Sequence, residues 1–360
     1  MFALNPEKII KPAILNSKAY HVANADGLVK LDAMENPYTW PDEIRSKWSA
    51  YLQQAQLNRY PDADASGLRL KINDYLSLPN DIDMMFGNGS DELIQIILLA
   101  LNKDANVVMA PEPGFVMYRL LSTMLEFDFV GVPLNNDFSL NLPAMLEAIE
   151  KKQPSVIFIA WPNNPTGNCF DEDELERIFN IAPGLVVVDE AYHVFAQKTM
   201  MSYLEKYPNV LLMRTFSKLG LAGLRLGMLF GRKEWISQFN KIRLPYNIGT
   251  LNQLSASFIL DNIEILEQQA MQIRKDRETM FTALTAINGI QAWPSDANFI
   301  LFRVEDKPAD EIHAALLDNK ILIKNLHGSQ ALLENCLRVT VGTAEENEKF
   351  ISCLKAVINA

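Results

Sequence analysis

Between residues 107 and 231 the chain carries six short apolar runs, most of them without polar alternation: VVMA (107–110), FVGV (129–132), SVIFIAW (155–161), LVVVDEAY (185–192), VLLMRT (210–215) and GMLFG (227–231). A strand with one wet face alternates apolar and polar residues, so an unbroken apolar run reads as a strand covered on both faces. Helix-like segments fall between the runs. One of them, DEDELERIF (171–179), opens on Asp171 as an N-cap and places acids in the first turn, where the helix dipole favours them. Strands alternating with helices define βαβ units, so the expected fold is α/β, with a mainly parallel central sheet sandwiched by helices.

After a long helical stretch at 252–287 the pattern changes. NFILFRV (298–304), ILIKNL (321–326) and LRVTVG (337–342) read as strands, with a helix near 308–319 and a closing helix at 344–358. These make a second, smaller α/β unit. The first forty residues have too little apolar periodicity to stand alone and are expected to pack on it. The expected division is a large unit over 41–251 and a small one over 1–40 and 252–360, built from both termini and carrying an N-terminal arm.

The formal net charge of -11 argues against a nucleic-acid or anionic-membrane partner, since such binding needs a basic footprint. Cys169, Cys336 and Cys353 match no metal-ligand spacing, and one is left over from any pairing. Reduced thiols in a cytoplasmic protein with no metal are the expectation. No apolar run reaches the ~18 residues of a membrane span, and the first residues lack an apolar targeting core.

In an open parallel sheet, ligands bind beyond the carboxyl ends of the strands, and four polar stretches fall there. GNGSDE (87–92) precedes an apolar helix; small residues at a helix start leave backbone N–H groups free to face an anion, although a capped buried helix explains the stretch too. WPNNPTG (161–167) follows a strand and also reads as an ordinary turn. LVVVDEAY brings Asp189 and Tyr192 to a strand end, where a carboxylate is costly to desolvate without a partner. MRTFSKLGLAGLRLG (213–227) places Lys218 and Arg225 beside Thr215 and Ser217. Together they describe one ligand. Its anionic group meets the Ser90 and Asp91 amides, the Ser217 hydroxyl and Arg225; its protonatable ring nitrogen meets Asp189. Its phenolic oxygen meets Asn164 and Tyr192, and its carbonyl carbon awaits the Lys218 amine. Pyridoxal 5'-phosphate has all four features.

With KLDAMENPY (30–38), NRYPD (58–62), GNGSDELI (87–94) and LRVTVGT (337–343) added, the motifs in their order resemble the fold-type-I pyridoxal-phosphate aminotransferases over nearly the whole chain. Within that family they are most similar to the branch that transaminates histidinol phosphate with 2-oxoglutarate, giving imidazole-acetol phosphate and glutamate in histidine biosynthesis. One spacing departs: Arg225 follows Lys218 by seven residues, where many relatives have eight. The resemblance implies that Lys218 is the Schiff-base lysine and proton shuttle, its pKa lowered by Arg225 and by desolvation, and that Asp189 keeps the pyridine nitrogen protonated. It also implies that Phe115 stacks on the cofactor and that Tyr60 reaches the cofactor phosphate of a neighbouring subunit, which requires a homodimer. Arg338 would bind the anionic end of both substrates, Lys324 would be a second phosphate contact, and Tyr20 and Asn36 would line the substrate pocket. His21, His193, His313 and His327 match no catalytic position. Aromatic-amino-acid transamination and threonine-phosphate decarboxylation are the alternatives within the same fold.

Overall fold

The computed structural model describes residues 5–19, 22–102, 104 and 106–359. Twelve strands appear among them. In chain order they are β1 (Val29–Leu31), β2 (Ile82–Asn88), β3 (Val107–Glu112), β4 (Asp128–Pro133), β5 (Val156–Ala160), β6 (Leu185–Asp189), β7 (Val210–Thr215), β8 (Leu226–Arg232), β9 (Ile290–Ala292), β10 (Phe299–Val304), β11 (Ile321–Asn325) and β12 (Cys336–Thr340). Seven form one sheet in the order β2-β8-β7-β6-β5-β3-β4, and five form another in the order β1-β11-β12-β10-β9. In the large sheet β8 runs antiparallel to β2 and β7, and the remaining pairings are parallel. The expected mainly parallel sheet is present.

Every residue of β5, β6 and β7 is buried, as unbroken apolar runs require. Because successive side chains point to opposite faces, each strand feeds two cores. Val156, Phe158, Leu185, Val187 and Leu211 enter one, together with Leu93 and Ile97 of the helix Ser90–Ala100. Ile157, Ile159, Val186, Val188 and Leu212 enter the other, with Leu175 and Ile178 of the helix Glu172–Ile181. That second helix is capped as the sequence predicts: the Asp171 side chain accepts from the Asp173 and Glu174 amides.

The run read as a strand over 185–192 ends at Asp189, because the Asp189 carboxylate accepts the Ala191 amide and folds the chain into a turn. β1, β2 and β9 were not read as strands from the sequence. β1 and β9 have three residues each, and β2 carries Gly87 where a side chain would collide with Leu93. The stretch read as one helix over 252–287 is two, Thr250–Leu260 and Glu264–Thr285. The break at Asp261 and Asn262, residues that compete with helical hydrogen bonding, redirects the chain: Ala256 and Ile259 pack in a core of the large sheet, whereas Ile273, Met280 and Leu284 pack against the small sheet.

The N-terminal segment meets the small sheet through β1, which pairs parallel with β11. Farther upstream the chain reaches the other unit, where Lys11 pairs with Glu126 at 2.8 Å. Among the described residues no helix is long and apolar enough to cross a membrane.

Phe230 of β8 is fully buried, so Phe230→Ala should lower stability by about 3–5 kcal/mol through lost transfer energy and the cavity left behind. A denaturant midpoint shift of that size at unchanged slope is the expected reading.

Candidate active site

The carboxyl ends of β5, β6 and β7 lie side by side in the large sheet, and the segments that follow them meet the start of the helix Ser90–Ala100 around a cavity of about 110 Å³. Its wall includes Ser90, Asp91, Asn164, Asp189, Lys218 and Arg225; Phe115, Tyr192, Thr215 and Ser217 line it as well. Ten of the eleven residues proposed from sequence for catalysis or cofactor binding are thus gathered at one place. The eleventh, Tyr60, is not.

The anion end is built from backbone. Gly89 holds φ +83, a conformation that favours glycine, and a Cβ there would crowd the Arg225 guanidinium, which would have to swing aside. On the facing strand, a Cβ at Gly227 would strike the Gly89–Ser90 backbone at 2.6–2.8 Å. Arg225, itself at φ 48, reaches the Ser217 Oγ at 3.5 Å and Asp91 at 3.4 Å, and its side chain is half exposed. The Ser217 amide donates to Thr215 Oγ1 at 3.1 Å. Exposed and only loosely paired, Arg225 retains donors for an anion at the helix N-terminus.

Lys218 Nζ donates to the Ala33 carbonyl at 2.8 Å and lies 5.9 Å from the centre of the Tyr192 ring. Burial first, then the Arg338 guanidinium, pull its pKa down from the ordinary lysine range to about 8, against Glu35 and Asp91. The neighbouring charges that lower it are therefore Arg338 and, less, Lys30, where the sequence pointed to Arg225. At pH 8 about half the amine is neutral and nucleophilic.

Asp189 is 4% exposed. Its Oδ2 accepts from the Tyr118 hydroxyl at 2.8 Å and its Oδ1 from the Ala191 amide at 3.1 Å. Burial raises its pKa to about 6, and these two bonds oppose the rise. Beside it, Glu190 is fully buried and takes the Arg214 Nε and Nη2 at 2.9 and 2.8 Å. Burial raises the Glu190 pKa and Arg214 counters it. The adjacent His193 is held neutral, its pKa pushed to about 3 by burial and then by Arg214, and it has no place in either cavity described here.

Met34, Phe115 and Asn164 also line a second cavity of about 600 Å³, which contains Arg338 and Lys324. Arg338 Nη1 donates to Asn164 Oδ1, and Asn164 Nδ2 donates to the Tyr192 hydroxyl at 3.2 Å. Arg338 Nη2 donates to the Asp32 carbonyl at 3.0 Å. Burial raises the Tyr192 pKa, with Arg338 pulling the other way. Lys324 and Arg338 are direct partners in the β11–β12 register. A neutral amine, a carboxylate and a cation-bearing chamber thus adjoin, which suits transfer chemistry on an anionic amine beside a flat anionic group.

Two of the proposed residues among those described are not brought into either cavity. Tyr60 is 81% exposed and stacks on Tyr246 with centroids 4.4 Å apart. Asn36 spends its amide on the Leu219 carbonyl and the Gln269 side chain, at 3.0 and 2.9 Å, so it braces the segment while Met34 faces the cavities. Tyr20 lies outside the described residues, as does His21. Sequence reading missed Met34, the Ala33 carbonyl and Tyr118. A backbone acceptor carries no sequence signal, whereas Tyr118 follows Phe115, the N-cap of the helix Val116–Met124, by three residues, and the two rings meet edge-on. Among the described residues no group of three His, Cys, Asp or Glu could hold a metal.

A lysine softened by burial and a carboxylate at neighbouring strand ends are the geometry expected of one family, and the chain belongs to it: residues 26–354 match the model for aminotransferase class I and II. Within that class the chain is 54% identical over 347 residues to histidinol-phosphate aminotransferase 2 of Nitrosococcus oceani, covering 96% of each chain. Among solved structures it is similar to the histidinol-phosphate aminotransferase of Sinorhizobium meliloti in complex with pyridoxal-5'-phosphate, at a TM-score of 0.84 and 22% identity over 98% of each chain. It is also similar to L-threonine-O-3-phosphate decarboxylase of Porphyromonas gingivalis, at 0.77 and 21% over 92% and 99% of the chains. At those identities the two structural likenesses are of fold.

Removing Arg214 strands the buried Glu190. Arg214→Ala should cost about 3–5 kcal/mol near pH 7 and push the Glu190 pKa further up. A carboxyl whose folded pKa exceeds its unfolded value loses stability as pH rises between the two. The deficit should therefore shrink as pH is lowered through the folded pKa toward the unfolded value near ~4.3, read as a converging denaturant midpoint.

Proposed function

We propose that this aminotransferase uses pyridoxal 5'-phosphate to transfer the amino group of histidinol phosphate to 2-oxoglutarate, yielding imidazole-acetol phosphate and glutamate in cytoplasmic histidine biosynthesis. The observation that carries the proposal is the half-buried Lys218 amine in one cavity with Asp189, Asn164 and Tyr192, next to an Arg338–Lys324 chamber that shares Met34, Phe115 and Asn164 with it. The 54% identity to a histidinol-phosphate aminotransferase supports the choice of substrate.

The residues fit the cofactor. The Gly89–Ser90 turn, Ser217 and Arg225 offer a seat for its phosphate, where a Cβ at Gly89 would fill the space. Asp189, with a pKa of about 6, is an anion at pH 7.5 and would pair with the protonated ring nitrogen. Tyr192 and Asn164 would hold the phenolic oxygen, and Phe115 would cover a ring face. When bound, pyridoxal phosphate supplies the carbonyl carbon that carries the amino group and the ring that draws electrons from the reacting bond. Lys218 would hold the cofactor there until the substrate amine takes its place, and the freed amine would then take the proton from the amino-bearing carbon of the substrate and return it on the cofactor side, which calls for a pKa near the working pH. Arg338 would orient the substrate's anionic end, carboxylate or phosphate, with its planar fork. Lys324 would add charge for the phosphate.

The large unit, 41–251, would hold the cofactor and the small one, 1–40 with 252–360, the substrate's anionic end. Tyr60 would serve the site of a second copy in a homodimer: with Leu57 and Leu244, 71% and 72% exposed, it leaves bulky apolar side chains uncovered on this chain, as an interface would use.

Purified protein given the cofactor, histidinol phosphate and 2-oxoglutarate should form glutamate. Carbon dioxide released from threonine phosphate, or phenylalanine outperforming histidinol phosphate as donor, would instead identify one of the alternatives. Lys324→Ala should lower kcat/KM for histidinol phosphate by about tenfold and leave glutamate nearly unchanged. Arg338→Ala should lower both by about 30-fold or more, because a buried partner of Asn164 is also lost. Equal effects of Lys324→Ala on the two substrates would remove lysine from the phosphate site.

A further inference from the structure

Tyr118 belongs to the helix Val116–Met124 and is 2% exposed. Its ring lies flat on Phe158 of β5, with centroids 4.8 Å apart and planes at 10°, and meets the Phe115 ring edge-on at 5.4 Å. The stack and the edge contact hold the ring, and its hydroxyl donates to Asp189 Oδ2 at 2.8 Å. The Ala191 amide takes the other carboxylate oxygen, so each oxygen has one donor. An ionised carboxylate accepts from both, whereas a protonated one must give up an acceptor site.

We propose that Tyr118 is a positioning residue for the cofactor: it keeps Asp189 ionised and aimed at the ring nitrogen, and through its edge contact it fixes the Phe115 ring that covers the same cavity. The inference rests on the function proposed above. The other titratable groups around this carboxylate are Asp91 at the start of the helix Ser90–Ala100, Glu190 and Tyr192 in the turn after β6, and Lys218 after β7. Asp91 and Glu190 are like charges that disfavour the anion, as burial does. Tyr118 is the side chain that works against all three by hydrogen bonding. A donor to the charged form lowers a carboxyl pKa, so losing it raises the pKa and narrows the pH range over which the anion is available.

Tyr118→Phe removes the hydroxyl and keeps the ring in its stack. The apo forms of the protein and of this variant would be titrated with pyridoxal 5'-phosphate from pH 5.5 to 8.5, following the visible band of the bound aldehyde. The acid fall-off in affinity should move up by about one pH unit in the variant, with about threefold weaker binding at pH 6.5, about eightfold at pH 5.5 and agreement within about twofold at pH 8.5. Ionisations of the free cofactor are common to both proteins and cancel in the comparison. The thermal midpoint should change little. In an Asp189→Asn background the same substitution should leave the pH profile where it was, as coupled residues require. An unmoved fall-off in Tyr118→Phe, or an equal shift in the Asp189→Asn background, overturns the role of Tyr118. A wild-type protein that binds no pyridoxal phosphate at any pH would overturn the proposed function itself.

Discussion

Taking ionisable groups out of water at the carboxyl edge of an apolar sheet is the constraint to which the other parts of this protein answer. β5, β6 and β7 are buried along their whole length, so whatever follows them starts from a low-dielectric floor where charge is costly. Asp189 and Glu190 leave β6 at that floor, and each is answered differently. Glu190 receives a full guanidinium from Arg214, with the Thr199 hydroxyl and the Met200 amide. Asp189 receives a phenol and an amide but no cation. The carboxylate left without a counterion is the one that faces the cavity, and its raised pKa follows from that.

The same floor acts on Lys218, with opposite sign. Burial and the Arg338 charge both disfavour an ammonium there. Arg338 reaches that position because β12 lies between β10 and β11 in the small sheet, while Asn164, its partner, comes from the large one. The softened amine is thus a product of both sheets, and the hydrogen-bond path Arg338–Asn164–Tyr192 ties them at the point where the chemistry would occur.

Much of this was legible in the chain. Unbroken apolar runs announced the strands and their double cover, and the polar residues just after them fell where a parallel sheet gathers ligands. What escaped was of two kinds. Three-residue strands such as β1 and β9 lack the length to show a period, and a turn-forming Asp261–Asn262 pair was hidden inside a long helical pattern. The direction of side chains was the other: Asn36 lies in the right segment but turns away to Leu219 and Gln269, Met34 turns in, and the charge acting on Lys218 comes from a residue 120 positions away in sequence rather than seven. Such facts are set by tertiary packing, which periodicity does not encode.

The short contact between β11 and β12 has a consequence of its own. Its register comprises two residue pairs, and one of them sets Lys324 opposite Arg338. Like charges facing each other across neighbouring strands repel, and Arg338 meets that cost by turning its fork to the Asn164 side chain and the Asp32 carbonyl. An anion lodged between the two, as the function proposed above would have it, would turn that repulsion into a shared attraction and add a rung between the strands that hold it.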